Sequence, residues 1–172
     1  MLNSIEFPTD GRYVSHREWE PVQFYLEALT QSNRMDLLLG YFSSSAISVL
    51  AVGFAKFLSN GGEVRMVINH ILSEDDKIAV IKGEIGDVHD LSRLLYDFEG
   101  LKKTLNHQEK HFFECLAWLI NSKKIQIRAV KPKGNKGIAH YKSGVFSDGV
   151  NELGFSASCN FTASAFPEII LS

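Results

Sequence analysis

His140 and Lys142 stand two residues apart in a strand-forming stretch, so both side chains leave the same side of that strand. Ser158 and Asn160 repeat the spacing further along. A hairpin through this region would set the two pairs side by side. One surface would then present an imidazole, an ammonium, a hydroxyl and an amide. These groups suit a phosphodiester. A neutral imidazole can attack phosphorus and form a phosphohistidine, which divides one hard step into two. Lysine and asparagine donate to the non-bridging oxygens, whose charge must be held in the transition state. With enough fixed donors no metal is required, and no cofactor is expected. Asp148, at the turn between the two strands, would orient a histidine ring and favour its cationic form.

The elements that must position these residues read as follows. Residues 1–17 are polar, with Pro8, Asp10 and Gly11 as turn material, and predict a loosely tied arm. Glu18 to Ser32 has mostly helical spacing, with Pro21 in a first turn. Met35 to Phe42 is a continuous apolar run of strand length. Ser43 to Ser45 follow, and a serine there would cap a helix over Ile47 to Leu58. Gly61 and Gly62 end that helix, and Glu63 to Asn69 alternates as a second strand. Strand, helix and strand with short links argue for a parallel pair with a crossover. Short helices are expected at Asp75 to Lys82 and Val88 to Tyr96, and a longer one at Leu105 to Ile120. Strands follow at Ile125 to Val130, Ile138 to Phe146 and Leu153 to Ser158, with one more at Glu168 to Leu171. The whole reads as α/β, with a mixed, largely parallel central sheet between helix layers.

Composition narrows the class. A chain of 172 residues suits one domain, 1–172, with a proper core. A hydrophobic share of 45% and a charged share of 22% are ordinary for a soluble protein. No apolar run is long enough to span a bilayer and no signal-peptide zones are present, so the expected place is the cytoplasm. The apolar ending PEIILS fits a segment of a longer polypeptide as well as a natural terminus. Cys115 and Cys159 make neither a disulfide framework nor a zinc quartet and read as reduced structural thiols.

Charge is uneven although the net value is only −2. Lys123, Lys124, Arg128, Lys131, Lys133, Lys136 and Lys142 form a block without an acidic residue, whereas Glu74 to Glu99 holds eight acidic residues against three basic. Such asymmetry creates a local positive field. Lys131, Lys133 and Lys136 precede the His140 strand and would hold a nucleic-acid backbone without reading its sequence. No aromatic interleaves them, so base stacking is not indicated.

His-x-Lys, Asp and Ser-x-Asn, in the order His140, Lys142, Asp148, Ser158 and Asn160, are similar to the HKD motif of the phospholipase D superfamily. LLLGYFSSSAISVL followed by GG and EVRMVIN resembles the start of phospholipase D-like domains that precede helicase domains in bacterial DNA-processing and restriction proteins. The resemblance implies an α/β/α sandwich and a metal-independent phosphodiesterase, nuclease-like, acting through a phosphohistidine. His140 would be nucleophile or general acid, with Lys142, Ser158 and Asn160 holding phosphate and Glu168 supporting. It also implies a homodimer in which two His140 side chains face each other, DNA as partner, and a C-terminal helicase domain beyond this chain. Two positions depart from the pattern: Asp148 falls one residue late, and Ala157 replaces a glycine. The departures favour a second reading, a catalytically degenerate DNA-binding domain that delivers a helicase. A third reading, a phospholipid head-group enzyme, would need an apolar entry surface.

Other residues invite blander readings. His107 and His111 are four apart on a helix, but no third ligand is evident and Glu109 is misplaced for a zinc protease, so surface histidines are expected. His70 and Ser43 follow strands and would lie where ligands bind in open α/β folds, although capping explains them as well. Tyr41 and Phe42 read as core packing beside them.

Overall fold

The computed structural model describes all residues except 70, 71, 131–140, 159, 160, 162–167 and 172. Seven strands form one mixed sheet: β1 (Arg12–Val14), β2 (Arg34–Leu39), β3 (Glu63–Asn69), β4 (Ile125–Val130), β5 (Lys142–Ser147), β6 (Glu152–Ala157) and β7 (Glu168–Leu171). Their spatial order is β1-β7-β6-β5-β2-β3-β4. The pairs β2–β3 and β3–β4 are parallel, and the remaining pairs are antiparallel. Among the described residues six α-helices accompany them: α1 (Pro21–Gln31), α2 (Ser45–Val49), α3 (Ala51–Ser59), α4 (Glu74–Ile85), α5 (Phe98–Asn106) and α6 (Lys110–Asn121). The expected α/β class with a mixed sheet is therefore present.

Handedness explains where the helices lie. Strands β1, β2, β3 and β4 run the same way, and each connection between them moves in the same direction across the sheet. Right-handed crossovers then place α1, the α2–α3 pair and the α4–α6 group on one side. The helices form a connected layer, with α1 against α3, α3 against α5, α5 against α6 and α6 against α4. The covered face carries Met35, Leu37, Leu39, Val64, Met66, Ile68, Ile125, Phe146 and Phe155, all buried. Alternation sends Asp36, Leu38, Arg65, Gln126, Arg128, Ser143 and Ser156 to the other face. That face is open and half polar, and none of the described helices covers it. Arg65 clasps Asp36 there through both guanidinium arms, one at 2.7 Å, and Arg34 reaches Glu152 at 3.0 Å.

Several boundaries differ from the sequence reading. The helix expected over Ile47 to Leu58 is two, because α2 stops at Val49 and α3 restarts at Ala51. The helix expected from Leu105 to Ile120 is also two, broken at His107 to Glu109, and only residues from Lys110 form its second half. The stretch Val88 to Tyr96 forms just a 3-10 turn at Ser92–Tyr96. The strand expected from Ile138 begins at Lys142, its earlier residues lying outside the described ones. The N-terminal arm is not loose. Tyr13 is fully buried in β1 with its ring 5.1 Å from that of Phe24, and burial pushes its hydroxyl up to about 12. Leu2 is buried as well.

Asp148 closes the β5–β6 turn. Its carboxylate accepts from the backbone of Leu2 at 2.8 Å, Val150 at 2.9 Å and Asn151 at 2.7 Å, and from the Asn151 amide at 3.0 Å. These donors, the Asn151 backbone foremost, hold its pKa well below the usual carboxylate range. A depressed folded pKa adds stability that is complete above the unfolded value and lost as pH falls through the folded one. Asp148→Ala is therefore expected to lower the Tm at neutral pH. The gap to the parent protein should persist down to about pH 4 and close only in stronger acid. Thermal unfolding followed by circular dichroism across that range checks it, and a gap already closed by about pH 5 contradicts it.

Gly83 lets α4 approach α6. A Cβ there would lie 2.5 Å from the Ala117 carbonyl oxygen and 2.7 Å from Ile120 Cβ. Gly83→Ala is expected to cost about 1–3 kcal/mol, since helix backbone cannot yield as a side-chain tip can. A lower urea midpoint at unchanged slope is the readout.

Candidate functional site

The parallel strands β2, β3 and β4 end on one edge of the sheet, at Leu39, Asn69 and Val130. Antiparallel β5 starts on that edge with Lys142, β6 ends there at Ala157, and Ser158 follows. Carboxyl edges of this kind are where open α/β sheets bind ligands, because chain turns leave polar groups around a gap. Lys142 shares parity with Gly144 and Phe146, which places it on the helix side of the rim. Gly144 is required below it, since a Cβ would meet the Phe155 ring at 2.7 Å and the Asp36 carbonyl oxygen at 2.8 Å.

On the same edge lies a buried polar group. Ser44, Asn69 and Asp76 are almost fully buried. Ser44 Oγ accepts from Gln108 Nε2 at 2.7 Å, and its N–H faces Asp76 Oδ2 at 3.5 Å. Ser73 Oγ accepts from the Asp76 N–H at 3.1 Å and caps α4. Asp76 Oδ1 is buried without a hydrogen-bond partner among the described residues. Ser43 and Ser45 join through their hydroxyls at 2.9 Å. The expected serine cap is thus different in detail: Ser44 sits at the cap position of α2, but its hydroxyl is taken by Gln108. The first turn of α4 carries Glu74, Asp75 and Asp76, which repel an anion from that helix end.

Of the residues singled out in the sequence, Lys142 and Ser158 are brought to this edge. Asp148 is not. It lies at the opposite end of β5, one strand length from Lys142, and its carboxylate is spent on the turn. Its proposed catalytic part is corrected to a structural one. The hairpin register also differs from the expected alignment. Ser143 pairs with Ser156 and Gly144 with Phe155, so continuing the ladder would set Ser158 across from Tyr141 and out of parity with Lys142. Ser158 lines a depression of about 640 Å³ with Arg12, Arg17, Glu18 and Trp19. His140, Asn160, Lys131, Lys133, Lys136 and His70 lie outside the described residues, and of Glu168 only the strand position is described.

Sequence reasoning missed Asp76 and Gln108. The Ser73-x-x-Asp76 spacing signals a helix start, but the burial of its carboxylate is tertiary, beside the Ser44 N–H, and no local pattern announces it. A second depression of about 580 Å³ spreads over the open sheet face, among Asp36, Arg65, Gln126, Arg128 and Ser143. Lys142 lines neither. Cys115 is buried and its thiol is pushed up to about 12 by that burial, as suits a structural cysteine. No group of three or more potential metal ligands is found among the described residues, and none of their helices is long and apolar enough to cross a membrane.

No protein-family model matches the chain, and no curated protein does. Among solved structures the fold is similar to a polyphosphate kinase from Porphyromonas gingivalis, at a TM-score of 0.52 and 10% identity. The superposition covers 99% of this chain and 21% of that one, so the chain spans about a fifth of the length of the kinase. The likeness establishes a shared fold. It corrects the family reading drawn from the HKD-like residues, because a short motif constrains far less of a chain than a superposition over nearly all of it. The phospholipase D-like assignment, the nuclease activity, the helicase or restriction association, the DNA-targeting alternative and the lipid head-group alternative fall with it. What stands is an α/β domain whose fold occurs within a polyphosphate kinase.

Proposed function

We propose that this chain is the phosphate-handling domain of a phosphoryl-transfer enzyme, with a polyphosphate as the class of donor. The observation that carries the reading is the place of Lys142: the first residue of β5, at the rim where three parallel strands end, in a fold that a polyphosphate kinase also uses. An ammonium at such a rim can pair with a terminal phosphate and steady the charge on its equatorial oxygens. The basic block from Lys123 to Lys142 supports a polyanion as ligand, since phosphates along a chain are held by charge alone.

His140 is the proposed phosphoryl acceptor, on the strength of its sequence position two residues before Lys142. A ring nitrogen would form the new N–P bond while the P–O bond to the next phosphate breaks. The shortened polyphosphate departs as the anion, and the phosphoryl group passes later to an acceptor oxygen, such as that of a nucleoside diphosphate. Neutral imidazole is the attacking form.

Incubation with radiolabelled polyphosphate is expected to leave an acid-labile, alkali-stable label on the protein. His140→Ala should abolish the label yet keep binding within about threefold. Lys142→Ala should weaken polyphosphate binding by about tenfold or more, the worth of one charge-assisted contact. Titration calorimetry with chains of defined length gives the affinities. A parent protein that neither binds polyphosphate nor takes up label overturns the proposal.

A further inference from the structure

The open face of the sheet carries a depression that the proposed phosphoryl transfer does not use. Strand register lays out its floor in two rows. The first row runs Ser156, Ser143, Leu38, Val67 and Arg128 across β6, β5, β2, β3 and β4. The second runs Gly154, Val145, Asp36, Arg65 and Gln126 across the same strands. Alternation turns both rows away from the helix layer. Both rows line the depression, whose volume is about 580 Å³. Sites for small molecules commonly measure about 300–1,000 Å³.

The two arginines of these rows differ. Arg65 is clasped by Asp36, with one arm at 2.7 Å, and Asp36 also meets Arg34 at 3.4 Å. Arg34 continues the network to Glu152 at 3.0 Å. Arg128 is exposed and makes no hydrogen bond or ion pair among the described residues. Asp36 cancels Arg65, so Arg128 is the one uncompensated charge of the two rows. Leu38 and Val67 pair beside it, Leu38 being 38% exposed, and Val145 borders them as a third apolar side chain. Ser143 and Ser156 face each other at the far end of the first row, their Cβ atoms about 5 Å apart.

These charges select the occupant. A helix layer seated here would bury Arg34, Asp36 and Arg65, and the desolvation of such ion pairs outweighs their attraction. A polyanion needs a track of cations, and the rows offer one free guanidinium. A flat monoanion with an apolar body matches the lining. We propose that this face binds a small aromatic carboxylate. Arg128 takes the carboxylate through two parallel N–H groups. The ring system lies flat on Leu38, Val67 and Val145, and the Ser143 and Ser156 hydroxyls meet a polar substituent at its other end. About 14 Å, three strand spacings, separates Ser143 from Arg128, and the long arginine side chain reaches back over part of that span. Arg65 is held by Asp36 and forms a side wall. Lys142 lies on the helix side of the sheet, so this site is separate from the rim and does not depend on the proposed phosphoryl transfer.

Nuclear magnetic resonance titration of the isotope-labelled chain with naphthoate, and with its uncharged amide naphthamide, tests the proposal. Naphthoate is expected to shift the amides of Leu38, Val67 and Arg128 and to saturate with a dissociation constant of about 0.1–1 mM, as suits a ligand of this size. Naphthamide should bind about fivefold more weakly, for want of the charged contact. Arg128→Ala should weaken naphthoate about fivefold and leave the acid and the amide equal, an effect that a merely structural arginine would not produce. Leu38→Asn should weaken both probes about fivefold through lost apolar contact. A parent chain whose amides on these strands stay unshifted up to about 5 mM naphthoate overturns the proposal. So do shifts confined to other parts of the chain, or an acid-to-amide ratio that Arg128→Ala leaves unchanged.

Discussion

The packing of Phe24 and Tyr25 onto Phe146, Phe155 and Phe161 joins the two halves of this fold. Phe24 and Tyr25 project from α1, while the other three belong to the antiparallel half of the sheet and the segment after β6. Ring centroids lie 5.3 Å apart for Phe24 and Phe155, 5.4 Å for Tyr25 and Phe155 and 5.3 Å for Tyr25 and Phe161, in edge-on geometries that the ring quadrupoles favour. Phe161 stacks in turn near Phe42, three residues beyond the end of β2, and an isolated bridge joins the two residues. The parallel strands on one flank and the hairpin strands on the other thus share one aromatic core. Lys142 starts the strand that carries Phe146, so the same packing sets the height and tilt of the rim on which the ammonium stands.

Much of this was legible in the sequence. The runs at Met35 to Phe42, Glu63 to Asn69 and Ile125 to Val130 contain strands because their apolar content and length admit little else, and the short link between the first two made their parallel pairing readable. Breaks inside helices were not legible. His107-Gln108-Glu109 continues a helical pattern locally, and what interrupts it is tertiary: Gln108 leaves the helix to donate to the buried Ser44 hydroxyl. The N-terminal arm was misread for a similar reason. Its polarity hides that Tyr13 fills a gap between β1 and α1 that no local pattern announces.

The site was less legible than the fold, and register is the cause. Side chains on a strand alternate with a period of two, so an error of one residue in pairing exchanges the two faces. A motif written as His-x-Lys and Ser-x-Asn specifies parity within each strand and leaves parity between strands open. The pairing of Ser143 with Ser156 sets the latter and parts Ser158 from Lys142. Asp148 shows the matching error along the strand. A turn aspartate near a lysine in sequence can be a strand length away from it in space, and here the N–H groups of Leu2, Val150 and Asn151 have claimed it.

Buried polarity at the rim follows from the same architecture. When three parallel strands end together, their connections must turn over the helix layer, and the turning backbone needs partners. Ser44, Asp76 and Gln108 supply them from three different connections, so the loop after β2, the start of α4 and the junction of α5 with α6 are tied at one place. That tie costs desolvation, since Asp76 keeps one oxygen without a partner among the described residues. A fold concerned only with stability would fill such a spot with apolar side chains. Retaining a carboxylate there ties three connections around the edge where Lys142 stands, a rigidity that the proposed phosphate contact would use.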